Sequence, residues 1–475
     1  MRCFPGLIVV AVAMLCVLSS IYLHEAVELH DAAQTVQGHM VSEAQLKVTS
    51  PATVSIRRGS DCQYRAVLLS VTAEKMKQPS HREVLAFAKG KGCSITPSEV
   101  IAASGTLKAA TFGTLPLWFE MTEESQPTRI RSPSLVRRMV ATMLTSFFAV
   151  CQGLSEQGRI LVPGVTMGVL GSDTVMTGLE ASSGQASSDD TNAGKAIEEN
   201  FKNSGIVHLL AVSGGHFVLV AEFLRKFAAR LRLPRFLGAL MVVMGYAVLA
   251  VLMYPSDSVL RALVMGVVGV ACTTFGRASQ SMSVLSVCVV CSLIVRPGLA
   301  TSFGFALSCA AVMGILLFSA KITKRVPRVV PRAVASAFAV TLSAQIFTLP
   351  VQMLMTPTVP LLSIPANLCV APFVSFSTIC GLLGLLCSAV VPSVAWILVN
   401  VASVGTSVMN RCAMLFGDSS ASTFSLPVSG TVAAVTILSA EMIVYGIVAF
   451  IGRKRRVSDG EIWSGMSTDS GTLNV

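Results

Sequence analysis

Nine apolar runs follow one another along the second half of the chain, near 206–224, 236–254, 259–275, 281–295, 301–320, 333–350, 366–390, 393–416 and 429–451. A bilayer core is crossed by about 20 apolar residues in a helix. Only helices and closed barrels satisfy their backbone there. The sequence therefore predicts a polytopic α-helical membrane protein. A further apolar segment, 7–23, follows Arg2. No small-residue cleavage site follows it cleanly, so it reads as an uncleaved first span rather than a signal peptide. That makes about ten spans. Charged residues are 13% of the chain, against roughly 25% in soluble domains.

The basic residues set the orientation. One loop holds Arg225, Lys226, Arg230, Arg232 and Arg235, and another holds Lys321, Lys324, Arg325, Arg328 and Arg332. The tail, 453–475, opens with Arg453, Lys454, Arg455 and Arg456. With ten spans all of these fall on one side, the cytoplasm by the positive-inside rule. Both termini are then expected in the cytoplasm, and residues 24–205 outside. The net charge of +11, which would suggest nucleic acid in a soluble protein, is accounted for in large part by these loops.

Residues 32–133 have a different composition. Short β-like runs at 45–48, 64–72, 106–112 and 115–119 alternate with turn signals at Gly38, Ser50-Pro51, Arg58-Gly59 and Gly90-Lys91-Gly92. This pattern predicts a small extracytoplasmic β-rich domain, a barrel or a sandwich, of a size that suits an oligonucleotide-binding-type barrel. Cys62 and Cys93 are its two cysteines. In an oxidising exterior they form a disulfide; two free thiols is the alternative. Arg57, Arg58, Lys75, Lys77, Lys89 and Lys91 fit phosphate contacts or an ordinary solvated surface. His24, Glu28 and Asp31 fall on one helical face, but no spacing here is diagnostic of a metal, and neither a metal nor a cofactor is expected. Residues 134–203 read as an interfacial amphipathic helix at 139–150, then an exposed loop and short helix at 180–203.

Within the membrane domain, 204–452, polar groups stand out because they are costly at that depth and mark cavities or sites. The stretch 204–224 carries His208, Ser213, Gly214, Gly215 and His216 in its first half. It reads as one span whose Gly pair loosens the helix beside a polar pathway. Asp257 and Arg261, four residues apart, pair on one helix face or line an entrance for an anion. Gln345 lies in another span. Pro357, Pro360, Pro365 and Pro372 argue against a straight helix, which makes the segment bearing Asn367 either re-entrant or a plain outer loop.

The stretch HLLAVSGGHFVLVA, with His208–Ala211, Ser213-Gly214, Gly215 and His216, resembles the signature of the ComEC family of competence DNA-uptake channels. LVPGVTMGVLG at 161–171, SVLRALVMG at 258–266, AQIFTLPVQ at 344–352 and SIPANLCVAPFV at 363–374 resemble further family segments, in family order. The resemblance implies a channel, not an enzyme, that imports single-stranded DNA across the cytoplasmic membrane. It also implies an outer domain of oligonucleotide-binding type, often with a disulfide, which suits Cys62 and Cys93. Expected partners are single-stranded DNA and membrane lipid. A DNA receptor, a cytoplasmic helicase, a separate nuclease and a second copy of the chain are further candidates. Two departures are visible. A single apolar segment precedes the outer domain where longer members have several. The six histidines, at 24, 30, 39, 81, 208 and 216, do not form the cluster of the metallo-β-lactamase-like nuclease domain that many members carry. No nuclease is therefore expected in these residues.

Two other classes compete. An intramembrane serine hydrolase would use Ser213 with a histidine, but AVSGG lacks the first glycine of G-x-S-x-G. A small-solute permease would be built from repeats, and the chain has no clearly related halves.

Overall fold

The computed structural model describes residues 4–443 apart from 30, 32, 34–35, 56–59, 74–75, 94, 111–114, 123–126, 174–183, 254–256, 276–280, 357, 419–422, 426–428 and 442. Helix α1 (Phe4–Leu29) leads into a β domain. Its strands are β1 (Met40–Val48), β2 (Thr53–Val54), β3 (Cys62–Ala73), β4 (Met76–Pro79), β5 (Glu83–Ala88), β6 (Val100–Ala109), β7 (Leu117–Met121) and β8 (Thr128–Arg131).

The domain is a barrel, not a sandwich. β1 pairs with β3, β3 with β5, β5 with β7, β7 with β6, and β6 returns to β1. Only the β5–β7 pairing of this ring is parallel. Closure removes the edges that an open sheet leaves unpaired. Alternate residues point inward, as the strand period requires. Leu46, Val48, Tyr64, Ala66, Leu68, Val84, Ala86, Ile101, Ala103, Leu107 and Phe119 fill the core. β5 was not foreseen, and β6 begins at Val100 rather than 106. Its Ala-Ala-Ser-Gly stretch has little β-propensity of its own and is held by partners on both sides. Cys62 and Cys93 are joined by a disulfide across 31 residues, which ties the start of β3 to the turn after β5.

Asp31 fastens the barrel to α1. Its carboxylate accepts from the Ser80 hydroxyl at 2.6 Å, the His81 N–H at 2.9 Å and the Ala33 N–H at 2.9 Å. Asp31 is thus engaged in structure; the side chains of His24 and Glu28 lie outside the described residues.

Thirteen helices are described in all. α2 (Leu135–Cys151) starts at an N-cap, Ser134, and buries one face through Val140, Leu144, Phe147 and Cys151. That spacing is the stripe of an amphipathic helix. α3 (Glu156–Met167) is short and almost wholly buried. α4 (Gly184–Asn203) takes up nearly all of the stretch that reads from sequence as an exposed loop and a short helix. Gly194, Ile197, Phe201 and Ser204 are buried at helical spacing, and docking of this face outweighs the poor helix propensity of the Ser, Asp and Asn residues.

The remaining helices are α5 (Gly214–Arg230), α6 (Arg235–Leu252), α7 (Asp257–Thr274), α8 (Ser281–Val295), α9 (Phe303–Arg325, with a π turn at Ile315–Ser319), α10 (Arg332–Met355), α11 (Ser363–Ser388), α12 (Pro392–Gly417) and α13 (Gly430–Glu441). Five of them, α6, α9, α10, α11 and α12, are long and apolar enough to cross a membrane; α7, α8, α13 and the part of α1 from Met14 to Val27 are shorter apolar helices. α11 and α12 pack closely along their length, and α3 lies against both.

Two expectations change. The stretch 204–224 is not one continuous span: Gly205 adopts φ +74°, a 3-10 turn covers Val207–Leu210, and the helix proper starts at Gly214. The proline-rich stretch is broken between Met355 and Ser363, where Pro360 lies in a short strand, Thr358–Pro360, and Pro357 lies outside the described residues, but not at its other prolines. α10 runs through Pro350 and α11 through Pro372. Pro365 sits in the first turn of α11, where a missing N–H costs nothing. The segment bearing Asn367 is therefore helical rather than a plain loop, and its amide donates to the Ser363 carbonyl one turn back at 2.8 Å.

Among the described residues one ion pair joins the barrel to the helices, and a hydrogen bond joins α1 to α8. Arg296, just after α8, reaches Glu83 of β5 at 3.4 Å, and the Ser20 hydroxyl of α1 donates to the Ile294 carbonyl at 3.0 Å.

Candidate functional site

The break before α5 is built from the signature residues themselves. Ser213 is the N-cap, and its hydroxyl accepts from the Gly215 N–H at 3.2 Å. The ring of His216 reciprocates: its Nδ1 accepts from the Ser213 N–H at 3.3 Å. This is a capping box with histidine in the place usually taken by Glu or Gln. An accepting Nδ1 puts the ring proton on Nε2, the tautomer logic of a neutral imidazole. Nε2 then donates to the Val165 carbonyl at 2.9 Å.

Val165 belongs to the last turn of α3, whose final carbonyls lack intrahelical donors. His216, 5% exposed, therefore ties the start of one helix to the end of another. Gly168 closes α3 with φ +76°. A Cβ at 168 would lie 2.7 Å from the Val212 nitrogen, so the position needs glycine both for its backbone and for its space.

Arg261 of α7 stands against this turn. Its Nη2 lies 3.3 Å from the point a Cβ on Gly214 would occupy. Its Nε donates to the Ser308 hydroxyl of α9 at 2.7 Å and its Nη1 approaches the Met265 sulfur at 3.4 Å. The residue is 4% exposed. Asp257 opens α7 one turn earlier, but its side chain lies outside the described residues.

The turn is accessible. Ser213 and Gly214 are half-buried, while Ala211, Gly215 and His208 are exposed. The His208 ring hydrogen-bonds the Gly205 backbone. Ser213, Gly214, Gly215, His216 and Arg261 thus form one cluster. Gln345, half-buried on α10, and Asn367 on α11 share no hydrogen bond with it among the described residues. Val165, Gly168 and Ser308 belong to the cluster's frame and were not singled out from sequence. The 161–171 stretch had been noted for its resemblance, and Gly168 could have been read as a helix C-cap. Nothing in the sequence marks Ser308.

His216 does not serve Ser213 as a general base in this geometry. Both nitrogens of His216 face backbone groups, and the Ser213 hydroxyl is used as a cap.

Residues 188–451 match the family model described as Competence protein. The chain belongs to that family. The ComEC resemblance read from the signature stretch is thereby upheld. A second comparison agrees: 181 residues are 25% identical to ComE operon protein 3 of Bacillus subtilis (strain 168), over 38% of this chain. The aligned part spans 23% of that relative. No solved structure matches. The competence-family match contains the helix break, Arg261 and all the long apolar helices; the barrel lies ahead of it.

Among the described residues no group of three or more His, Cys, Asp or Glu side chains is placed to hold a metal. The barrel aromatics Tyr64, Phe87, Trp118 and Phe119 are all buried, while Phe112 lies outside the described residues.

Proposed function

We propose that this competence-family chain passes a single strand of DNA across the cytoplasmic membrane. The observation that carries the reading is the helix break at Ser213–Gly215: a polar, accessible turn inside an apolar bundle, backed by a buried arginine. Non-helical backbone at membrane depth must be buried in protein or line water. A polyanion needs a hydrated path with polar or positive lining. Ser213, Gly214, Gly215, His216 and Arg261 line the route. His208 stands at its exposed side, and Gln345 and Asn367 shape the neighbouring helices.

The barrel lies outside the cell in this reading. Arg296 contacts it next to the start of α9. α9 is 23 residues long, which carries the chain about 34 Å away to the basic loop before α10. Barrel and basic loop therefore sit at opposite ends of a span-length helix, and the positive-inside rule gives the basic end to the cytoplasm. Both termini fall on that side, and 1–23 forms the first span of about ten.

The five-stranded ring, with its parallel β5–β7 pair, suits an oligonucleotide-binding barrel, a fold that binds nucleic acid. With its described aromatics buried, this barrel holds a strand by charge rather than by stacking. A DNA receptor outside, a helicase inside, a separate nuclease and a second copy of the chain are the partners the reading calls for. The capping role of Ser213 counts against the hydrolase alternative.

The test is entry of fluorescent single-stranded DNA into proteoliposomes containing the full chain. Strand protected from external nuclease inside the vesicles supports the proposal. No entry beyond protein-free vesicles, under a membrane potential or a pH gradient of either sign, overturns it.

A further inference from the structure

We infer that Glu441 is a proton-binding site through which strand passage draws on a pH gradient; this rests on the strand-passage reading above. Glu441 is the one charged residue from Ser429 to Ile451, in an otherwise apolar stretch. A carboxylate at bilayer depth is costly as an anion. Intramembrane carboxylates stand on ion pathways and proton relays.

The packing of α13 places the side chain. A Cβ at Gly430 would lie 2.6 Å from the Met353 carbonyl oxygen of α10. Ala433, Ala434 and Ile437 share a cluster with Met353 and Leu349 of α10. Gly430, Ala434, Ile437 and Glu441 fall on one face of a helix. Glu441 is half-buried on that face, while Leu438, Ser439, Ala440 and Ile443 around it are exposed. The carboxyl is therefore on the stripe turned to α10 rather than to lipid. From Gly430 to Glu441 the helix runs about 16 Å, roughly half of a bilayer core. Met353, Leu349 and Gln345 form the facing stripe of α10, which brings Gln345 to within about a turn of the same level.

Among the described residues Glu441 has no ion pair and no hydrogen bond. Its packing partners in that cluster, α10 and the short strand Thr358–Pro360, hold one ionisable side chain, Arg332, at the opposite end of α10. That arginine is about 20 Å along the helix from Gln345, so the carboxyl has no fixed counter-charge. A metal ion takes several oxygen ligands, and among the described residues no group of three His, Cys, Asp or Glu is placed to share one. A proton needs the carboxyl alone. Binding converts the carboxylate to the acid and release restores it, so nothing else is consumed. An ionised Glu441 repels a polyanion in the same low-dielectric bundle, and a protonated one does not. A proton taken up from the barrel side therefore opens the way, and its release to the other side opposes return.

The experiment uses the full chain in proteoliposomes, as wild type, Glu441→Gln and Glu441→Asp. The membrane potential is clamped with potassium and valinomycin, a labelled dT oligonucleotide is outside, and a pH dye is in the lumen. With the outside one pH unit below the lumen, wild type should pass strand several-fold faster than without a gradient. One pH unit sets a limit of about tenfold on a one-proton step. Added strand should also speed acidification of the lumen. Glu441→Gln keeps the shape of the side chain and should pass strand at a rate the gradient leaves unchanged, with no strand-dependent proton entry. Glu441→Asp keeps an exchangeable carboxyl and should retain part of both responses. A second measurement needs no strand. Dicyclohexylcarbodiimide adds to protonated carboxyls in apolar surroundings; it should label Glu441 of the full chain in membranes, as read by peptide mass, and less so as the pH rises. Wild-type gradient response and proton entry in Glu441→Gln, or no label at 441, overturn the site and leave the channel reading standing. A wild type that passes strand without responding to the gradient overturns it as well. A wild type that takes the label but passes no strand defeats the channel reading, and the coupling with it.

Discussion

The Nε2 of His216 lies 2.9 Å from the carbonyl oxygen of Val165, and this bond joins the first turn of α5 to the last turn of α3 across 51 residues of sequence. Nδ1 of the same ring completes the cap on Ser213. One side chain therefore fixes the position of the helix break and the tilt of the helix that leaves it.

His216→Ala should destabilise the chain by about 1–3 kcal/mol, the cost of a lost cap together with a carbonyl left unsatisfied. His216→Gln keeps a residue able to complete a capping box but cannot reproduce the ring's simultaneous reach to Val165. Its loss should fall between wild type and alanine. Thermal unfolding of the full chain in detergent ranks the three. Equal melting temperatures for Gln and Ala would remove the cap from the account.

Ser213→Ala should cost about 1 kcal/mol, the usual worth of an N-cap. Ser213→Thr and Ser213→Asp retain a capping oxygen and should keep both stability and strand passage. A nucleophilic serine would tolerate neither alanine nor aspartate. Strand passage by Ser213→Asp therefore separates a cap from a catalyst.

Breaking the Cys62–Cys93 bond should destabilise the barrel by about 2–4 kcal/mol, the range for disulfides of this kind. The bond closes a loop across 31 residues of sequence, and opening it returns loop-closure entropy to the unfolded chain. Proteolysis of the full chain in membranes, for wild type and Cys62→Ser, measures this as faster cleavage between β1 and β8. The membrane helices should remain protected in both.

Asp31 gives a pH signature. Burial works to raise the pKa of its carboxyl group, but hydrogen bonds from Ser80, His81 and Ala33 and the nearby charge of Arg82 outweigh it, so the group titrates below the ordinary value of 3.8. A carboxylate depressed in the folded state adds stability above its unfolded pKa and loses it as the pH falls through the folded value. The α1–barrel clasp should hold at neutral pH and weaken below about pH 4. Asp31→Asn should weaken it already at pH 7 and flatten the acid dependence. Hydrogen exchange at 31–33 and 80–81 follows both effects.

Much of this fold was legible in the sequence for simple reasons. Long apolar runs have few alternatives to helices, so α9, α10, α11 and α12 were found with shifted ends. Alternation and turn residues pointed to the β domain and to Cys62 and Cys93. The misses have particular causes. The front of α4 reads as loop because Ser, Asp and Asn have poor local propensity, while Ile197 and Phe201 carry the docking of the helix. Pro372 reads as a break because propensity ignores the neighbours that hold α11 together. The stretch 204–224 was read as one span because hydropathy does not register the left-handed turn at Gly205 or the cap at Ser213. The candidate site was visible as a list of polar residues, but its frame, Val165 and Ser308, comes from segments distant in sequence.

The central claim is that the Ser213–Gly215 turn faces water inside the membrane domain and that a DNA strand occupies it. The most direct measurement is thiol labelling of Gly215→Cys in the full chain reconstituted in membranes, scored by mass against the wild type, with a charged water-soluble reagent and with or without a dT oligonucleotide. The account predicts one added label at 215 without DNA and protection of that position by the strand. No labelling at 215, or labelling unchanged by saturating strand in vesicles that pass it, would contradict the account.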